Sequence, residues 1–167
     1  MVTFNIAYTA PINGAGATST LTQTQVWDGL KMKVRRAQDF VPAITECQVL
    51  SEETLPSGEL QITRRVQFVS SSAHSSSGGW VKEVCVHYAP CRIVFQQEDG
   101  STVTNVVSKG PSGELLMSYI FEWRHADVSE GSEKASQLEE AHWKMAKMAV
   151  ESSISTIRRL LAEGKIQ

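Results

Sequence analysis

Four polar side chains, Arg64, Glu83, Tyr119 and His142, fall in phase with apolar runs of the chain, where an ionisable or hydroxyl group must be paired or put to use. Between residues 59 and 69 the apolar set Leu60, Ile62, Val66 and Phe68 alternates as one face of a strand, and Arg64 shares its parity. An inward arginine is paired or meets a ligand anion, because an isolated buried charge is strongly destabilising. Between 80 and 88 the odd set is Val81, Glu83, Cys85 and His87. Antiparallel pairing of the two runs makes Arg64 and Glu83 cross-strand partners, either as a structural ion pair or as a polar anchor facing a ligand. From 114 to 124 both faces are rather apolar, with Leu115, Met117, Tyr119, Phe121 and Trp123 on one and Leu116, Ser118, Ile120 and Glu122 on the other. The first set is the favoured interior, since a phenol combines an apolar body with a polar tip; the reverse assignment brings Glu122 inside. His142 falls near the middle of a helical apolar arc with Ala149 and Leu160. Its unperturbed pKa near neutrality suits acid–base work, and the plainer alternative is a core imidazole satisfied by a carbonyl or a tyrosine hydroxyl. As catalytic candidates these four groups would shuttle a proton or polarise a carbonyl.

Other chemistries find no matching pattern. No metal is expected at His142, because Leu138 and Ala146 stand four residues to either side and Glu139 and Met145 three, which leaves at most one oxygen ligand. Cys47, Cys85 and Cys91 form no C-x-x-C pair and sit in strand-like apolar contexts, where a free cysteine packs as a small hydrophobe. There is no G-x-S-x-G, and the stretch from Asn13 to Ser19 holds only two glycines of a G-x-G-x-x-G pattern, so it reads as a connector. A net charge of −2 supplies no electrostatic attraction for nucleic acid or an anionic membrane. The first residues lack a basic segment followed by an apolar core, and no apolar run approaches the roughly 20 residues of a membrane span. The 167 residues fit one domain, expected to be cytoplasmic and a monomer or homodimer.

The elements that must position these groups follow from periodicity. A first strand spans 2–9, with Phe4, Ile6 and Tyr8 on one side and Pro11 at its end. Thr22 and Gln25 form a capping box, with Leu21 and Val26 placed as its hydrophobic staple, and the helix that follows carries Val26, Trp27, Leu30 and Val34 on one face. A shorter helix or turn occupies 37–42. Strands are predicted at 44–52, 59–69, 80–88, 92–97, 102–108 and 114–124, with Pro56-Ser57-Gly58, Asp99-Gly100 and Pro111-Ser112-Gly113 as turns. A serine-rich tract at 70–79, with a solvated His74, reads as a long loop. The segment 129–162 has no proline and reads as one long helix. Its charged residues Glu140, Lys144, Lys147, Glu151 and Arg158 share an arc, while Leu138, Met145, Ala146, Ala149, Val150, Ile157 and Leu160 cover the rest. Strands in immediate succession argue for an antiparallel meander, and the wide apolar arc for a helix held in a concave surface.

In this order the chain resembles the AtaL-like fungal family of the START/birch-pollen-allergen (SRPBCC) superfamily. The resemblance is carried by Leu21-Thr22, Gln25-Val26-Trp27, Gly29-Leu30, Phe40-Val41-Pro42-Ala43-Ile44, Thr63-Arg64, Val81-Lys82-Glu83 and Phe121-Glu122-Trp123-Arg124. It implies an α+β helix-grip fold: a curved antiparallel sheet of about seven strands around a long C-terminal helix, with two short helices after the first strand. It further implies a cavity between sheet and helix, for which Trp27, Phe40, Phe68, Cys85, Met117, Phe121, Trp123, Met145 and Ala149 are the ligand-binding candidates. Two functions are compatible with such a cavity and a small hydrophobic metabolite, neither needing a cofactor. One is a cyclase, isomerase or dehydratase of fungal secondary metabolism; the other is a non-catalytic carrier that sequesters a hydrophobic intermediate. A protein-partner domain like the hydrophobic-client cochaperones is the third class. Inward polar groups favour a small ligand over it.

Overall fold

The molecule is described by a computed structural model over residues 1–69 and 79–167. Its elements run β1 (Val2–Pro11), α1 (Gln23–Arg35), a 3-10 turn (Ala37–Asp39), β2 (Ile44–Thr54), β3 (Leu60–Phe68), β4 (Trp80–Tyr88), β5 (Arg92–Gln97), β6 (Thr102–Lys109), β7 (Leu115–His125) and α2 (Glu133–Ala162). The strands form one sheet in the order β1-β7-β6-β5-β4-β3-β2, and every neighbouring pair is antiparallel. This is the helix-grip arrangement expected of the chain. The serine-rich tract with His74 lies in 70–78, outside the described residues.

Hydrophobic alternation sets which face of each strand is covered. Ile62, Arg64, Val66 and Phe68 of β3, Glu83, Cys85 and His87 of β4, and Met117, Tyr119, Phe121 and Trp123 of β7 are all buried. Glu122 is on the outer face, bonded to Arg124 at 2.6 Å, so the reverse assignment of the last strand does not hold. Both Pro-Ser-Gly turns end on a glycine in the left-handed region, with φ of 100° at Gly58 and 79° at Gly113. A side chain is disfavoured there, so each glycine fixes where its hairpin reverses. Edge strand β2 shifts register twice against β3, between Ile44 and Glu46 and between Val49 and Ser51, irregularities that bend a strand.

The helices close the concave face. At the start of α1, Thr22 Oγ1 accepts from the Gln25 amide at 3.2 Å and Gln25 Oε1 accepts from the Thr22 amide at 2.9 Å, the capping box read from the sequence. Leu21 and Val26 are buried beneath it. Helix α2 starts at Glu133 rather than 129, because Gly131 is in the left-handed region and Ser132 Oγ accepts from the Ala135 amide at 3.1 Å. The second helix expected at 37–42 is a single 3-10 turn. Cys47 and Cys85 lie on strands, but Cys91 sits in the turn between β4 and β5, and all three thiols are free.

Helix α2 buries His142, Ala146, Ala149, Val150, Ser153, Ile157 and Leu160. Hydrogen bonds fasten it as well: Ser152 Oγ donates to the Phe40 carbonyl at 2.8 Å, and Arg158 Nη2 to the Ile12 carbonyl at 2.7 Å. Among the described residues no helix is long and apolar enough to cross a membrane.

The two helices meet tightly at Gly29, where a Cβ would stand 2.5 Å from Cγ1 of the fully buried Ile157. Gly29→Ala should therefore push α1 off α2 and lower stability by roughly 1–3 kcal/mol despite alanine's better helix propensity. Urea unfolding measures this directly; an unchanged or raised midpoint would contradict the close helix contact.

Candidate functional site

Sheet and helices do not fill the space between them. A hollow of about 60 Å³ remains, several-fold more than the roughly 10–15 Å³ that one water requires. Its walls come from β2 to β7, α1, α2 and the segment after the 3-10 turn. Val41, Ile44, Phe68, Phe95, Val103, Phe121, Met145 and Ala149 make it mainly apolar, while Lys33, Arg64, Glu83, Gln97, Tyr119 and Trp123 contribute polar atoms. Phe121 and Trp123 are stacked on one side, with ring centroids 4.4 Å apart.

Arg64 and Glu83 face each other in the β3–β4 register and form an ion pair, Arg64 Nη2 to Glu83 Oε2 at 2.7 Å and Arg64 Nε to the same oxygen at 2.8 Å. Arg64 Nη1 also donates to the carbonyls of Lys33 at 3.0 Å and Val34 at 2.8 Å. These are among the last carbonyls of α1, which lack partners within the helix and carry its negative end, so the guanidinium caps it. The other oxygen of Glu83 accepts from Gln97 Nε2 at 2.9 Å. The Arg64 guanidinium lies 4.9 Å from the Phe95 ring centroid. The pair is thus satisfied from within on three sides and borders the hollow on the fourth.

Lys33 is the residue that strand parity could not find. It lies on α1 three residues after Leu30 and seven after Val26, which places it on the buried helical face, and it is only 5% exposed. Its Nζ stands 4.1 Å above the Tyr119 ring and 5.7 Å from the Phe95 ring. Burial, reinforced by the Arg64 charge and opposed by Glu83, pushes its pKa down to about 7. The Tyr119 hydroxyl is buried and its pKa is raised by desolvation, an effect that Ser153 partly offsets. Asn105, paired with Tyr119 across β6 and β7, is wholly buried, with neither side-chain polar atom hydrogen-bonded.

The other candidates divide sharply. Phe68, Phe121, Trp123, Met145 and Ala149 line the hollow together with Arg64, Glu83 and Tyr119. Phe40, Cys85 and Met117 are buried in the surrounding core and do not line it, and burial pushes the Cys85 thiol up to about 12. Trp27 lines a separate open cleft with Lys31, residues 57–60, His87, Tyr88 and Ala89. His142 is fully buried, but behind Trp123, whose indole stacks on the imidazole with centroids 4.0 Å apart. Its Nε2 lies 2.9 Å from Nε2 of His125, so one ring donates to the other. His142 is not on the hollow's wall, because its part of α2 packs on β1 and β7 at Phe4 and Trp123. No cluster of three metal-ligating side chains is found among the described residues.

Comparison with known proteins agrees with this architecture. The Acetylaranotin biosynthesis cluster protein L of Aspergillus terreus (strain NIH 2624 / FGSC A1156) is 27% identical over 165 residues, 99% of this chain and 94% of that one. Among solved structures, the KanY protein matches with a TM-score of 0.64 at 11% identity, over 94% of this chain and 99% of its own. The Zhui aromatase/cyclase from Streptomyces sp. R1128 matches with a TM-score of 0.57 at 11% identity, over 96% of each chain. At such identities the two structures establish the shared fold alone. The family described as "Acetylaranotin biosynthesis cluster protein L" matches residues 6–164, almost the whole of the hollow-bearing fold, and the chain belongs to that family.

Proposed function

We propose that this protein encloses a small, largely apolar metabolite of a fungal secondary pathway in the hollow and carries out a cofactor-independent proton-transfer reaction on it, of the cyclase, isomerase or dehydratase type. The observation that carries this reading is an apolar hollow with its polar groups gathered along one edge, the arrangement that orients a ligand inside a water-poor site. The biosynthetic-cluster name of the Aspergillus relative and the aromatase/cyclase name of a structural neighbour support the same class. In this reading Phe68, Phe121, Trp123, Met145 and Ala149 hold the ligand, and the unbranched, adaptable Met145 lets the wall fit an irregular shape. Lys33 exchanges a proton near neutral pH, the Arg64–Glu83 pair presents a fixed dipole to a carbonyl, and the Tyr119 phenol closes the polar edge.

A second reading, a carrier that binds without converting, draws support from the internal satisfaction of Arg64 and Glu83, which leaves few of their bonds for a reacting group. Ligand conversion separates the two. Incubation with intermediates of the neighbouring pathway should give both saturable binding and a new product, with the product lost in Lys33→Met and Tyr119→Phe. Saturable binding with unchanged ligand would replace the enzyme by the carrier.

Filling the hollow tests both readings at once. Ala149→Leu should weaken binding at least tenfold while costing no more than about 1–3 kcal/mol of stability. Calorimetric titration beside thermal unfolding reads both quantities, and undiminished affinity would move the ligand out of the hollow.

Lys33 offers a test of whether a stability-reducing residue is retained on this wall. Its folded pKa of about 7 lies below the roughly 10.4 of an unfolded lysine, so between those values the unfolded chain holds more protons and stability rises with pH. Lys33→Met should be the more stable protein at about pH 6. The gap should narrow by on the order of 2–5 kcal/mol towards about pH 10. Urea unfolding across that range checks it, and a gap independent of pH would show that no charge is being buried.

A further inference from the structure

One amine on the polar edge is used neither by the ion pair nor by the fold. Among the described residues the Lys33 side chain has no hydrogen bond and no carboxylate within 4 Å, and its Nζ rests on the faces of Tyr119 and Phe95. Lys31, Lys82, Lys134, Lys144 and Lys165 each reach a carboxylate within 4 Å at the surface. Glu83 borders the same hollow, but Arg64 holds one of its oxygens at 2.7 Å and Gln97 the other at 2.9 Å. Desolvation beside a fixed guanidinium favours the neutral amine, and that is the nucleophilic form. No other group on this wall competes for the role. Arg64 stays protonated, and the Cys85 thiol is buried away from the hollow with its thiolate strongly disfavoured.

We propose that Lys33 forms an imine with an aldehyde or ketone group of the enclosed ligand. The inference rests on the ligand-enclosing reading above and adds to it a carbonyl-bearing substrate and a covalent step. Nζ attacks the carbonyl carbon, the C–N bond forms as the carbonyl π bond opens, and a proton passes from nitrogen to oxygen to give a carbinolamine. The hydroxyl then leaves with the second amine proton as water and the C=N bond closes, so no oxidant, reductant or cofactor is consumed. Protonation of the imine returns a single positive charge to the same nitrogen, where the Tyr119 ring at 4.1 Å stabilises it as it does the ammonium. Such an iminium withdraws electrons from the adjacent carbon and acidifies its protons, which serves cyclisation, isomerisation and dehydration alike.

The test uses the intact chain, benzaldehyde as carbonyl probe, sodium cyanoborohydride to trap any imine, and peptide mass spectrometry to locate the label. Benzyl alcohol, of similar shape but without the carbonyl, serves as competitor, and its binding is followed by the methyl NMR signal of Met145. The expected result is that Lys33 is labelled at least about tenfold faster than the surface lysines near neutral pH, as a desolvated amine should be. Excess benzyl alcohol should suppress that labelling. If the Met145 methyl shifts with benzyl alcohol but Lys33 labels no faster than surface lysines, the imine is overturned and the enclosing hollow stands. If neither labelling nor shift is seen, both readings fall.

Discussion

The buried guanidinium of Arg64 is the joint on which the rest of this structure turns. It ties β3 to β4 through Glu83, and through the Glu83–Gln97 bond it reaches β5. Its remaining hydrogen bonds fix the last turn of α1 against the sheet. Removing either partner of such a pair would leave an uncompensated charge in the interior, a strongly destabilising change. Arg64 and Glu83 also line the hollow. Four contacts from one arginine thus hold the end of α1, and with it Lys33, at the border of the cavity.

The same joint explains why the interior is polar at one edge and apolar elsewhere. Glu83 is neutralised by Arg64, so it is not available to hold Lys33 as a close partner. Lys33 is left against aromatic faces, which stabilise an ammonium far less than a carboxylate does. Its pKa is consequently pushed down to about 7, while the rest of the lining is mainly hydrocarbon and aromatic. The bonds that stabilise the fold and the group best suited to chemistry are therefore adjacent without being the same.

On the far side of the aromatic stack, His142 and His125 make a second polar contact inside the molecule. The imidazole of His142 packs flat on Trp123 and against Phe4, so it joins α2 to β1 and β7. Trp123 is shared: it stacks on His142 in this packing and also lines the hollow. Changes at His142 would thus reach the hollow through the indole's position and not by direct contact.

Much of this could be read from residue order alone. Alternation assigned the inward faces of β3 and β4 and brought Arg64 opposite Glu83, because in a strand parity decides the face whatever the rest of the fold does; in β7, where both faces are apolar, the inward set was favoured only by the Tyr119 phenol. The capping box at Thr22 and Gln25 and the apolar arc of α2 were equally local. Parity and helical phase say that a side chain points inward; they do not say at what depth along the sheet, or what it meets there. Whether an inward residue lines the hollow, as Met145 does, or disappears into packing, as His142, Phe40 and Met117 do, was decided by how α1 and α2 lie across the strands. Helical phase with Val26 and Leu30 put Lys33 on the inner face of α1 but did not say that its amine stays inside. A charged residue on a helix normally reaches water, and the seating of α1 over Tyr119 and Arg64 decided that this one does not.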